Sequence, residues 1–137
     1  MSTPLWCLLG FAAWSILLVL SLGTVRVVRV LTRQQTANSF ASGVPHGGDR
    51  YWRLNRAHMN SVENLPIFGA IVVVGELARV TSSSFALAAT IVLVARVAQS
   101  TIHIASNSNL AVNLRFTAFL TQLGCFLWMI GIVVDAS

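Results

Sequence analysis

From Leu5 to Val25 no residue is charged, and the stretch from Phe116 to Val134 is equally free of charge. A run of about 20 apolar residues covers the hydrocarbon of a bilayer as a helix, the form in which one segment satisfies its own backbone N–H and C=O groups in lipid. Phe85 to Ala105 is a third such run, interrupted by Arg96 near its middle and His103 near its end. A fourth begins near Tyr51-Trp52, whose amphipathic rings suit the headgroup level, and continues to about Arg79. Composition agrees: 55% of the residues are hydrophobic and 9% charged, against about a quarter charged in a soluble domain. The expected fold class is therefore an all-α integral membrane protein, a single four-transmembrane-helix bundle over 1–137, with spans at about 5–31, 56–79, 85–105 and 112–134.

The charges that remain set the orientation. All of the positive side chains are arginines, and the net charge is +5. They stand beside apolar runs and no nucleic-acid module is recognisable, so anionic headgroups or a buried anionic ligand fit better than nucleic acid. Arg26, Arg29 and Arg33 follow the first run, and Arg50, Arg53 and Arg56 close the loop after it, so this loop is expected on the cytoplasmic side with both termini outside. No positive residue precedes Leu5, so the first run reads as a retained helix rather than a secretory signal.

Several features have ordinary structural readings. The loop run Gly43-Val44-Pro45-His46-Gly47-Gly48-Asp49 punctuates structure, and its glycine pair lacks the lysine and spacing of a phosphate loop. Cys7 and Cys125 lie inside apolar runs as small hydrophobes. His58 and Glu63 have no metal-ligand spacing, and no metal is expected. Pro66 deprives the Val62 carbonyl of its helical partner, so a kink is expected one turn from Glu63. Glu76 and Arg79 read as a helix-end pair, and Ser106-Asn107-Ser108-Asn109 as a cytoplasmic turn.

Two polar stripes do not have so ordinary a reading. Arg56, Asn60 and Glu63 fall at i, i+4 and i+7 of the second helix, and Arg96, Gln99, Ser100 and His103 at i, i+3, i+4 and i+7 of the third. Exposed to hydrocarbon such stripes are costly, so they are expected to face protein or a wet pocket. Arg115 lies about one turn inside the fourth span, at a depth matching Arg56 and His103. Each residue alone can serve as glue between helices, but their coincidence at one depth favours a bound polar ligand.

The segment Arg56-Ala57-His58-Met59-Asn60-Ser61-Val62-Glu63-Asn64-Leu65-Pro66-Ile67-Phe68 closely resembles the signature of the MAPEG superfamily, the membrane-associated proteins in eicosanoid and glutathione metabolism. Ala95-Arg96-Val97-Ala98 in the third span is similar to the family pattern too, and the size, span number and long first loop resemble it over essentially the whole chain. The likeness is to a bacterial-type member similar to microsomal glutathione transferase, which implies a bacterial inner-membrane location. It also implies a homotrimer, with glutathione as co-substrate between neighbouring subunits near the cytoplasmic surface. Carried over, Asn60 and Glu63 match glutathione contacts of the second helix, Arg96 and His103 contact positions of the third, and Arg115 the arginine that holds the sulfur. Arg26, Arg29, Arg56 and Gln99 join them as candidate glutathione contacts, with Arg29 preferred over Arg26 as the arginine ending the first helix. The sequence departs from the family's better-known enzymes at Met59, where a basic residue occurs in some, at Gln99, where a histidine can occur, and at His103 and Phe119, where tyrosines are usual.

Glutathione carries two carboxylates and an ammonium, so its site needs several cationic donors and an acceptor. Arg29, Arg56 and Arg96 can fork onto carboxylates, Glu63 can accept from the ammonium, and Asn60 can serve a peptide group. A guanidinium at the sulfur favours the thiolate without taking a proton, so Arg115 is the expected catalytic residue, an electrostatic activator. The thiolate would attack a lipophilic electrophile or a lipid hydroperoxide arriving from membrane lipid, the expected activity being that of a glutathione S-transferase in the first case and a peroxidase in the second. The alternative is a non-catalytic MAPEG-like protein that binds lipid or glutathione, which the Phe119 substitution keeps open. A proton-driven exporter would need an acid near mid-span, and Glu63 lies near an end.

Overall fold

The computed structural model describes residues 1–41 and 44–136, and Gly43 of the loop run lies outside the described residues. Four helices follow one another: α1 (Thr3–Leu31), α2 (Asp49–Leu77), α3 (Ser83–Ala105) and α4 (Asn109–Asp135). Three of them, α1, α3 and α4, are long and apolar enough to cross a membrane. α2 is as long as α1, yet Asp49, Arg50, Arg53, Arg56 and Glu63 make its first half polar. The protein is a helical membrane protein whose second helix is apolar only beyond Glu63.

The helix ends follow local chemistry. Ser2 caps α1 by accepting from the Leu5 amide, and Pro4 sits in the first turn, where its missing N–H costs nothing. Ser108 caps α4 by accepting from the Ala111 amide at 3.2 Å. α2 starts at Asp49, ahead of the expected boundary, because Gly48 serves as its N-cap and Asp49 places an acid in the first turn. The helix continues through Pro66 and stops at Leu77. Both α1 and α2 end in a paired closure: Arg33 N–H donates to the Val30 carbonyl and Gln34 N–H to that of Arg29, as Arg79 does to Glu76 and Val80 to Gly75. This closure needs a left-handed residue, and arginine fills the place both times, with φ 57° at Arg33 and 55° at Arg79. Arg79 therefore leaves the helix instead of continuing the Glu76 face, and Glu76 accepts a hydrogen bond from the Ser2 hydroxyl.

α3 is the central element. It packs against α1, α2 and α4, as α2 does less extensively with the other three, whereas among the described residues α1 and α4 do not meet. Ala88, Ala89 and Val92 form its buried face, and small side chains there let neighbouring backbones come close. Phe11 of α1, Phe68 of α2 and Phe126 of α4 join across the bundle, with ring centroids 5.6 Å apart for the first pair and 6.1 Å for the second. At the end of the bundle where α3 begins, the Phe85 ring lies over Gly75, where an added Cβ would stand 2.5 Å from the ring edge. Leu9, Ile16 and Leu20 on α1 and Leu120, Leu123 and Leu127 on α4 remain exposed, as suits helices of a membrane protein.

Polar side chains tie the helices where apolar packing alone is not selective in lipid. Buried Ser15 and Ser61 share a 2.8 Å hydrogen bond between α1 and α2. Arg53 Nε donates to the Ile104 carbonyl across 3.1 Å, joining the start of α2 to the end of α3. Gln122 Nε2 of α4 donates to Gln99 Oε1 of α3 at 2.9 Å.

Candidate functional site

A cavity of about 260 Å³ opens at the end of the bundle where α2 begins, α3 ends and α4 begins. Asn60, Glu63 and Asn64 line it from α2, Gln99 and His103 from α3, and Arg115, Phe116 and Phe119 from α4. Five of the candidate residues, Asn60, Glu63, Gln99, His103 and Arg115, are thus brought to one cavity. The register explains it: Asn60 and Glu63 are neighbours on one face of α2, and Gln99 and His103 stand one turn apart on α3. Arg53, Arg56 and Arg115 also lie within electrostatic range of His103. The wall holds an acid, a cation, amides and a histidine next to two phenyl rings, a mixture suited to a ligand with polar and apolar parts.

Arg96 lies apart from the cavity wall. It is 1% exposed, packed with its guanidinium 5.3 Å from the Phe11 ring centre and within electrostatic range of Glu63. Its Nε and Nη2 are enclosed with no hydrogen-bond partner among the described residues. Buried donors left unpaired are costly, and they are rare without a ligand, water or functional reason.

The α1 arginines lie elsewhere in the single chain. Arg26 Nε donates to the Tyr51 hydroxyl at 2.7 Å, and its guanidinium stacks 5.4 Å from Phe40. Arg29 lies 5.0 Å over the Tyr51 ring, and the His46 ring centre is 5.2 Å from that of Tyr51. Gly47, at φ 73°, makes room for this cluster: a Cβ there would come within 2.7 Å of the Arg29 guanidinium. Arg26 borders a separate cavity of about 410 Å³ with Phe40. Arg56 is exposed and outside the α2–α4 cavity.

Sequence reasoning passed over Gln122, Asn64 and Phe116. Gln122 carries the single amide side chain within the uncharged run of α4, and it stands at i+7 from Arg115, the same spacing that marked the other stripes. Asn64 follows Glu63 within the signature segment, where the i, i+4, i+7 stripe drew attention to its neighbours.

A family model describing the MAPEG family matches residues 3–134. The chain belongs to the MAPEG family. Comparison with curated proteins found no match. The family includes glutathione transferases and peroxidases as well as non-catalytic members. Its match runs through all four helices, so every wall of the cavity lies within the family region.

Proposed function

We propose that this protein binds glutathione in the cavity between α2, α3 and α4 and holds its thiol as thiolate for attack on a lipophilic electrophile or a lipid hydroperoxide. The observation that carries the reading is the meeting of Asn60 and Glu63, from the family's signature segment, with His103 and Arg115 around one cavity. Arg115 acts on the sulfur by charge alone: an adjacent guanidinium favours the ionised thiol and takes no proton. Glu63 accepts from the ligand's ammonium, and Asn60 serves a peptide group. Phe116 and Phe119 give the electrophile an apolar approach beside the sulfur.

The cavity is slightly below the roughly 300–1,000 Å³ usual for a small-molecule site, and it is bounded by three helices only. In the homotrimer we propose, a neighbouring copy closes the open side and supplies Arg26, Arg29 or Arg56 to the ligand carboxylates. The six arginines on and beside the loop between α1 and α2 support a cytoplasmic site, with both termini on the other side of a bacterial inner membrane.

One observation favours a second reading. Phe119 lines the cavity where a tyrosine is usual in the family's better-known enzymes, so a hydroxyl that can support the sulfur is missing. In that reading the protein binds glutathione or lipid without chemistry. Detergent-purified protein assayed with glutathione and an apolar electrophile, and separately with a fatty-acid hydroperoxide, separates the two. Thioether or lipid alcohol formation supports catalysis, and binding without either product supports the non-catalytic reading.

A further inference from the structure

We infer that Gln122 is a positioning residue, which fixes the amide of Gln99 so that the N–H₂ end of Gln99 is the group presented to the cavity. The orientation follows from the atoms in contact. The Ala118 carbonyl can only accept, so the Gln122 atom 2.9 Å from it is the nitrogen. That same nitrogen lies 2.9 Å from the end of the Gln99 side chain, and with one N–H spent on each partner it needs an acceptor there. Gln99 therefore turns Oε1 toward α4, and its own nitrogen is left with two donors.

Gln99 is a wall of the cavity and 7% exposed, and the oxygen end of its amide is taken by Gln122. The free end of the amide thus opens into the space shared with Asn60, His103 and Arg115. It supplies a neutral donor to an acceptor group of the ligand, a thiolate or a carboxylate. Were the amide reversed, an oxygen would face that anion instead. Gln122 is itself 1% exposed, and its Oε1 has no partner among the described residues. An amide that merely joined α3 to α4 would be better with both ends paired, so the arrangement is explained by what it does to Gln99.

The ligand's identity rests on the glutathione reading above, whereas the orientation of the amide does not. Two measurements on the full-length protein in detergent separate the two. The first is hydrogen exchange of glutamine side-chain amides after ¹⁵N labelling: the Gln122 protons are expected to be protected and those of Gln99 to exchange with water. The second is titration with glutathione across pH, following the thiolate absorbance, for the parent, Gln122→Met and Gln122→Glu. Gln122→Met, of similar length, frees the Gln99 amide to turn, and roughly tenfold weaker binding is expected, the worth of one hydrogen bond, with thiolate formation displaced to higher pH. Gln122→Glu draws the Gln99 nitrogen toward α4 and is expected to weaken binding further. A purely structural Gln122 would lower the melting temperature and leave the pH profile alone. Protected Gln99 protons, or variants that match the parent in affinity and pH profile, overturn the inference. A parent that binds no glutathione defeats the ligand assignment alone, and the exchange pattern then decides the orientation.

Discussion

Replacing Arg96 with methionine is expected to make the empty protein more stable. The guanidinium is 1% exposed, and two of its nitrogens, Nε and Nη2, have no partner among the described residues. An unsatisfied buried donor costs about 1–3 kcal/mol, more when charged, so the pair together costs at least about 2 kcal/mol. Stacking over Phe11 at 5.3 Å returns about 2 kcal/mol at a desolvated site. Methionine keeps the straight stem that packs there and removes the donors, and Glu63, being exposed, is not stranded by losing its cationic neighbour. With two donors at about 1–3 kcal/mol each against about 2 kcal/mol of stacking, the net expectation is a gain of up to about 4 kcal/mol for the empty protein. Glutathione should bind the variant more weakly, because the cationic neighbour of Glu63 is gone. Unfolding in denaturing detergent, with and without glutathione, measures both effects. Removing one partner of a well-satisfied buried charge pair costs about 3–5 kcal/mol. A loss of that size in the empty Arg96→Met protein would refute the reasoning, since it would mean the guanidinium is fully paired within the fold.

Arg115→Ala should leave glutathione binding detectable in a calorimetric titration while greatly reducing conjugation of an apolar electrophile, since one to two pH units of thiol ionisation, about 1.4–2.7 kcal/mol, depend on that charge. Glu63→Gln should raise the glutathione Kd itself. Gly75→Ala forces a Cβ to within 2.5 Å of the Phe85 ring and should destabilise the bundle by about 1–3 kcal/mol, read as a lower midpoint of detergent unfolding. Arg79→Gly should do the reverse by about 1 kcal/mol, because glycine adopts the left-handed conformation at φ 55° without a Cβ penalty.

The helices were legible wherever charge was absent. Leu5 to Val25 and Phe116 to Val134 lie within α1 and α4, as hydropathy requires. The start of α2 was less legible, because a polar helix half that packs on protein has no hydropathy signal, and its beginning is set by the Gly48 cap ahead of Arg56. In the site, the i, i+3 and i+4 spacings brought out Asn60, Glu63, Gln99 and His103, because periodicity within a helix is local. What periodicity cannot report is which helices meet. Arg96 has the right spacing on α3 yet points at Phe11 of α1, and Arg26 and Arg29 are held by Tyr51 at the start of α2 and Phe40 of the loop before it, contacts that no repeat encodes. Gln122 was hidden for a related reason: a lone amide in an apolar run acquires meaning only once α3 places Gln99 opposite it.

In the proposed function, the residues converging on the α2–α4 cavity hold glutathione with its sulfur ionised. Titrating the detergent-purified protein with glutathione at neutral pH, while recording heat and thiolate absorbance together, tests it most directly. Saturable heat accompanied by a matching rise in thiolate is the predicted result, and a titration with neither heat nor thiolate would contradict the claim.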